Sequence, residues 1–215
     1  MPEHTLNPIP LPTQRRMLLV SALAAAAGAG IALSGSPGRA AGTAGAARGA
    51  PEHPPTGWLQ PPLPAMATAL TLHDGRPATL NSLLRGRVSF VNLMFTGCSD
   101  VCPPQGALFA ALANRVDPNR HRLLSLSIDA LGDDAAALDR WRQRFSAPGH
   151  WLAAVPQVAD VDRIATALRG TPVTPGVHTT QVYVFNAEAQ LVFRYGDSPH
   201  VDQLEAMARH LSPQT

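Results

Sequence analysis

The sequence predicts an α/β fold, a central mixed sheet flanked by helices, behind an N-terminal extension. Three observations predict it. An apolar run of β-forming residues, 87–95, breaks off into Thr96-Gly97-Cys98-Ser99-Asp100-Val101-Cys102-Pro103-Pro104 and then into helical periodicity. Strand-like and helix-like segments alternate from there to about residue 168. The last third instead sets two strand-like segments either side of a hairpin-length gap and closes on a helix.

Taken in order, residues 67–71 and 78–80 flank His73-Asp74-Gly75-Arg76, a hairpin turn signal, and 81–84 suits one helical turn. Residues 87–95 are apolar on both faces near their end, the pattern of a central buried strand. Pro103 and Pro104 fit the first turn of a helix, whose N–H groups lack partners anyway, and Leu108, Phe109, Leu112 and Val116 then repeat on one face. A second strand spans 122–128, and Asp133 or Asp134 caps a helix through Leu138, Trp141 and Phe145. A short strand at 151–155 and a short helix at 161–168 follow, then strands at 179–185 and 191–195 and a final helix at 201–211. A βαβα run, an antiparallel hairpin and a closing helix make the thioredoxin-like plan.

Residues 1–46 read as an export signal. Arg15-Arg16 precede Met17-Leu18-Leu19-Val20 and an alanine-rich apolar run to Leu33, with small residues beyond, a twin-arginine-like pattern. The run from Met17 to Leu33 falls short of the roughly 20 residues a spanning helix needs, so cleavage is favoured over an N-terminal anchor. Either outcome places the domain in the periplasm, an oxidising compartment. From about Ala41 to Pro64 the chain is Gly, Ala, Pro and Thr with scattered charge, and residues 47–62 read as a flexible linker, leaving 63–215 as the domain. After Ala46, arginines and acidic residues balance at fourteen each, which argues against nucleic acid as a partner.

Cys98 and Cys102 are the chain's two cysteines, so every thiol lies in one strand-to-helix turn. They cannot form a disulfide framework or a four-thiolate zinc cage. They work as a dithiol, a disulfide, or two ligands awaiting others. Four helical residues separate Cα atoms by about 6 Å, which suits a shared metal and a disulfide alike. A helix N-terminus lowers a thiol pKa, which serves both chemistries equally.

The segment 95–103 resembles the F-T-x-C-P-D-V-C-P signature of the Sco/SenC family of copper-binding, thioredoxin-like proteins. Ser127-Ile128-Asp129 with Asp133 is similar to that family's S-x-D-P-x-x-D segment, and the likeness extends over about residues 63–211. The family takes a third copper ligand from a histidine just before the strand of the terminal hairpin, and Gly176-Val177-His178-Thr179-Thr180 places His178 there. The resemblance thus implies Cys98, Cys102 and His178 as copper ligands. Cys98 and Cys102 would double as a redox-active disulfide. Two thiolates and an imidazole suit Cu(I), and Cu(II) is also held by such a set. The chain departs from the family pattern at Ser99, Ala130, Val177 and Thr179, and none of these changes removes a ligand.

The remaining candidates have plainer readings. Asp100 reads as a helix cap, Met94, Trp141 and Trp151 as core, and Arg140, Arg142 and Arg144 as a solvated helix face. His73, His121, His150, His200 and His210 read as solvent-facing. The function the resemblance implies is a metallochaperone, not an enzyme, that passes copper to a terminal-oxidase subunit, the CuA centre of cytochrome c oxidase being the simplest acceptor. A periplasmic copper donor and a thiol reductant would serve it. The rival is a periplasmic thiol-disulfide oxidoreductase, which needs the cysteines but not His178. The C-x-x-x-C spacing and a histidine where such oxidoreductases carry a cis-proline favour copper.

Overall fold

The computed structural model describes residues 55–172 and 179–212; the export segment 1–46 and His178 lie outside the described residues. In chain order the elements are β1 (Gly57–Pro64), β2 (Ala69–Leu72), β3 (Pro77–Thr79), α1 (Leu80–Leu84), β4 (Val88–Met94), α2 (Cys102–Ala113), β5 (His121–Ser127), α3 (Ala135–Arg144), β6 (Trp151–Pro156), α4 (Val161–Arg169), β7 (Tyr183–Phe185), β8 (Gln190–Arg194) and α5 (Val201–Leu211).

The strands form one mixed sheet ordered β1-β8-β7-β4-β5-β6-β2-β3. Strands β4, β5 and β6 run parallel, joined by the crossover helices α2 and α3. The β7–β8 hairpin adds antiparallel to β4 on one side, and the β2–β3 hairpin adds antiparallel to β6 on the other. All seven residues of β4 are buried, because a central strand is covered on both faces.

Alternation along β4 divides the core. Val91 and Leu93 pack with Leu84, Leu124, Ile164 and Phe185 on the face covered by α1 and α4. Val88 and Phe90 pack with Phe109, Leu112, Trp151 and Leu204 beneath α2 and α5. Met94, at the strand's carboxyl end, joins a smaller cluster with Cys98, Cys102, Leu138 and Trp141. The parallel strands therefore deliver the cysteine turn to the edge of the sheet where α/β proteins bind ligands.

Several expectations are corrected. The linker read over 47–62 becomes strand β1 from Gly57, antiparallel to β8. Its prolines are tolerated because it is an edge strand, and its register shifts between Trp58 and Leu63, where Pro61 and Pro62 lie. Trp58 packs edge-on against Phe193 at 5.1 Å between ring centroids, an anchor that composition alone hides. The strand read over 179–185 begins only at Tyr183, with one further bond from the Tyr195 N–H to the Val182 carbonyl at 2.8 Å. His121 is buried, with Nδ1 at 3.0 Å from the Asp117 carbonyl and Nε2 at 2.9 Å from Ser212 Oγ, so it ties the start of β5 to the end of α5. His73 and His150 are half-buried, while His200 and His210 are exposed. Arg142 leaves the solvated face: its guanidinium donates to the carbonyls of Trp151 at 2.8 Å and Pro148 at 3.0 Å while its stem lies along the protein. Trp141 and Trp151 are fully buried core, as read from the sequence. No helix among the described residues is long and apolar enough to cross a membrane.

Candidate metal centre

Strand β4 ends at Met94, and the chain turns through 95–101 before α2 begins at Cys102. Cys98 therefore lies in the turn, not on the helix, and only Cys102 occupies a helical position. The Cys98 N–H donates to the Phe95 carbonyl at 3.1 Å, closing the turn that folds the first cysteine back toward the second. The N-cap of α2 is Val101, with no side-chain capping bond, and prolines occupy the first turn. Asp100 is exposed one residue further out, so the capping role read for it is not realised.

Both cysteines are thiols rather than a disulfide, and both are buried, at 4% and 2% exposure. Burial, then a hydrogen bond with Cys98, pushes the Cys102 thiol up to about 12. The direction is opposite to the lowering expected from a helix N-terminus, because the apolar surroundings of Met94, Leu138 and Trp141 outweigh the helix dipole. In this state Cys102 is a protonated thiol at neutral pH, and a metal ion binding there must displace the proton.

The turn is held from below by Asp133. Its carboxylate accepts from the Thr96 N–H at 3.0 Å, from Thr96 Oγ1 at 2.5 Å and from Ser127 Oγ at 2.6 Å. One buried carboxylate thus joins the end of β5, the start of α3 and the residue two before Cys98. The sequence offered Asp133 or Asp134 as a helix cap; Asp134 takes that role, accepting from the Ala137 N–H at 2.7 Å, and Asp133 turns inward. Asp129 shapes the adjoining loop by accepting from the Gly132 N–H at 2.9 Å.

A cavity of about 10 Å³ lies beside Cys102, lined by Leu93, Met94, Phe95, Val101, Ile128 and Thr179. Thr179 directly follows His178 in sequence, so the chain leaving the third proposed ligand position returns against Cys102. Among the described residues no group of three His, Cys, Asp or Glu side chains forms a metal cage, and the described part of the site is the cysteine pair. Sequence reasoning missed the buried polar residues around it, Asn92, Gln105 and Gln181. Asn92 carried a usable signal, since an amide inside an otherwise apolar central strand requires a buried partner.

The family model described as SCO1/SenC matches residues 66–212. A SCO1/SenC family lipoprotein from Bacillus anthracis is similar in structure, with a TM-score of 0.61 at 22% identity over 71% of this chain and 98% of that one. BsSco, described as a Sco family cytochrome c oxidase assembly protein with a disulfide switch, aligns with a TM-score of 0.60 at 18% identity, covering 69% of this chain and 92% of that one. ScoI of Bradyrhizobium japonicum, solved with copper bound, aligns with a TM-score of 0.58 at 17% identity, covering 69% of this chain and 99% of that one. No curated protein sequence matches. At these identities the solved structures establish the thioredoxin-like fold, while the family model spans most of the chain and includes the cysteine turn. The chain belongs to the SCO1/SenC family.

Proposed function

We propose that this protein is a copper-binding metallochaperone that gives its copper to a respiratory terminal oxidase during assembly, most simply to the CuA centre of cytochrome c oxidase. The observation that carries the reading is the pair of buried thiols at the carboxyl end of β4. Two soft donors in an apolar pocket suit Cu(I), and a small ion reaches sulfur atoms that are only 2–4% exposed where a partner protein's disulfide does not. The same burial weighs against the thiol-disulfide oxidoreductase reading, since disulfide exchange requires access to the attacked and attacking sulfur. Copper is here the cargo. Each thiol that ligates Cu(I) releases one proton and the metal's oxidation state is unchanged, so no reductant is consumed in loading.

Further support comes from the family, of which Bradyrhizobium japonicum ScoI and yeast Sco1 have been solved with copper bound. His178 is the third ligand in this reading, and the twin-arginine-like segment at residues 1–46 would deliver the domain to the periplasm. The test is anaerobic titration of the reduced soluble domain, residues 47–215, with Cu(I) against a competing chelator, beside Cys98→Ser, Cys102→Ser and His178→Ala. One tightly held copper, lost in all three variants, is expected. Parental binding by His178→Ala would remove the three-ligand site, and ready disulfide exchange without competitive copper binding would establish the oxidoreductase instead.

A further inference from the structure

We propose that the turn at residues 128–134 is the docking face through which the cysteine pair meets its copper acceptor, with Leu131 as the apolar anchor, and that the acceptor presents an apolar recess rimmed by lysine or arginine. The inference rests on the copper-delivery reading above and gives the chemistry of the partner at that same site. Leu131 is 87% exposed, more than any other large apolar side chain among the described residues. A lone exposed leucine needs no explanation. This one is not alone: Ala130 beside it packs on the cysteine cluster, and the partly exposed Phe95, Val101 and Ile128 line the cavity next to Cys102. An apolar surface therefore extends from the buried thiols toward Leu131.

The exposure is built into the turn. The Asp129 N–H donates to Ser127 Oγ at 3.0 Å, the Gly132 N–H to Asp129 Oδ1 at 2.9 Å and the Asp133 N–H to the Asp129 carbonyl at 2.9 Å, so both sides of the turn are tied to Asp129. The Asp133 carboxylate, bonded to Thr96 and Ser127, joins its base to the cysteine turn. A Cβ at Gly132 would run into the Asp129 carboxylate, so the tight closure requires glycine there. Leu131 is thus held at an apex where it adds nothing to the core, and an anchor already ordered loses little further freedom on docking. Charge defines the partner's rim. Asp100 and Asp134 are exposed and Asp129 is half-exposed, while segments 95–101 and 128–134 contain no arginine or lysine. Two thiolates on one Cu(I) add a further negative charge when the site is loaded. A basic rim is the complement, and opposite potentials speed encounter and fix orientation. Because the thiols are only 2–4% exposed, the acceptor's ligands reach them only when its surface seats against these flanking residues. At hand-over Cu(I) keeps its oxidation state, and each thiolate it leaves takes up a proton released by an acceptor thiol.

The test is stopped-flow transfer of copper from the Cu(I)-loaded protein to the soluble CuA-bearing domain of the oxidase subunit, its cysteines reduced, at low and high salt. Three variants are compared with the parent: Leu131→Gln, Leu131→Met, and Asp100→Asn combined with Asp134→Asn, asparagine being as good a helix cap as aspartate. All three are expected to keep the parental Cu(I) affinity in chelator competition. Leu131→Gln is expected to lower the second-order transfer constant by about tenfold, the scale of an interface anchor, while Leu131→Met transfers like the parent. The parental constant is expected to fall by about tenfold between roughly 20 and 500 mM salt, and that of the aspartate variant to fall less. Parental transfer by Leu131→Gln, or loss of its copper affinity, overturns the docking role while copper delivery stands. A parental rate that rises with salt, or the same salt dependence in the aspartate variant, overturns the basic rim. A Cu(I)-loaded parent that transfers nothing to the CuA domain overturns the delivery reading and this inference with it.

Discussion

Three donors converge on Asp133, and its carboxylate connects the cysteine turn to the β5–α3 loop. Asp133→Ala leaves the Thr96 N–H, Thr96 Oγ1 and Ser127 Oγ without their acceptor in a buried place. It is expected to cost about 3 kcal/mol, read as a fall in the urea midpoint of the reduced protein, because hydrogen bonds to a buried charge are worth more than neutral ones. Hydrogen exchange at Thr96 should accelerate in the same variant, marking a loosened turn ahead of Cys98. At this scale the cysteines themselves were legible: two thiols four residues apart after a β run is a site whatever its chemistry. Their protonation was not. A helix N-terminus suggested an acidic thiol, and the burial that reverses the direction for Cys102 is contributed by Leu138 and Trp141, some forty residues along the chain.

Helix α2 illustrates how a local preference yields to packing. Gly106 lies inside it, where alanine would ordinarily stabilise a helix by about 1 kcal/mol. A methyl group at Gly106 would run into the Phe145 ring. That ring lies between Trp141 at 4.9 Å and Trp151 at 6.0 Å and has little room to retreat. Gly106→Ala is therefore expected to destabilise by about 1–3 kcal/mol, the usual cost of overpacking, in a urea titration followed by tryptophan fluorescence. Among the elements, α3 and α5 matched their periodic patterns well because each carries a capping residue, Asp134 and His200, before an amphipathic run. The strand expected from residue 179 begins at Tyr183, since β propensity in Thr179-Thr180-Gln181-Val182 is overridden by side chains that take the backbone's hydrogen bonds.

For the molecule as a whole, the unforeseen component is β1. It closes the β8 edge and covers Phe193 with Trp58. A chain beginning at residue 66, where the match to the family model starts, would expose both. It is expected to elute from size-exclusion chromatography as larger species at micromolar concentration, whereas the chain beginning at residue 47 does not, because an uncovered strand edge templates pairing with another copy. A lowered urea midpoint in the shorter chain would accompany it.

By itself, the sequence determined the order of strands and helices from β2 onward, the position of the cysteine turn at the end of the central strand, and the family. Those are read from period-2 and period-3.6 apolar patterns and from residues adjacent in the chain. Tertiary structure alone decided which polar residues turn inward, that Asp133 holds the turn while Asp134 caps the helix, and that a proline-rich stretch is an edge strand. It likewise decided that Gln105 takes over a carbonyl the sheet gives up. The inward turn of Asp133, the pairing of β1 and the Gln105 contact depend on partners far along the chain (Asp133 to Thr96 spans 37 residues, Gln105 to Gln181 spans 76, Gly57 to Arg194 spans 137), and no local window of sequence contains both halves of such a contact.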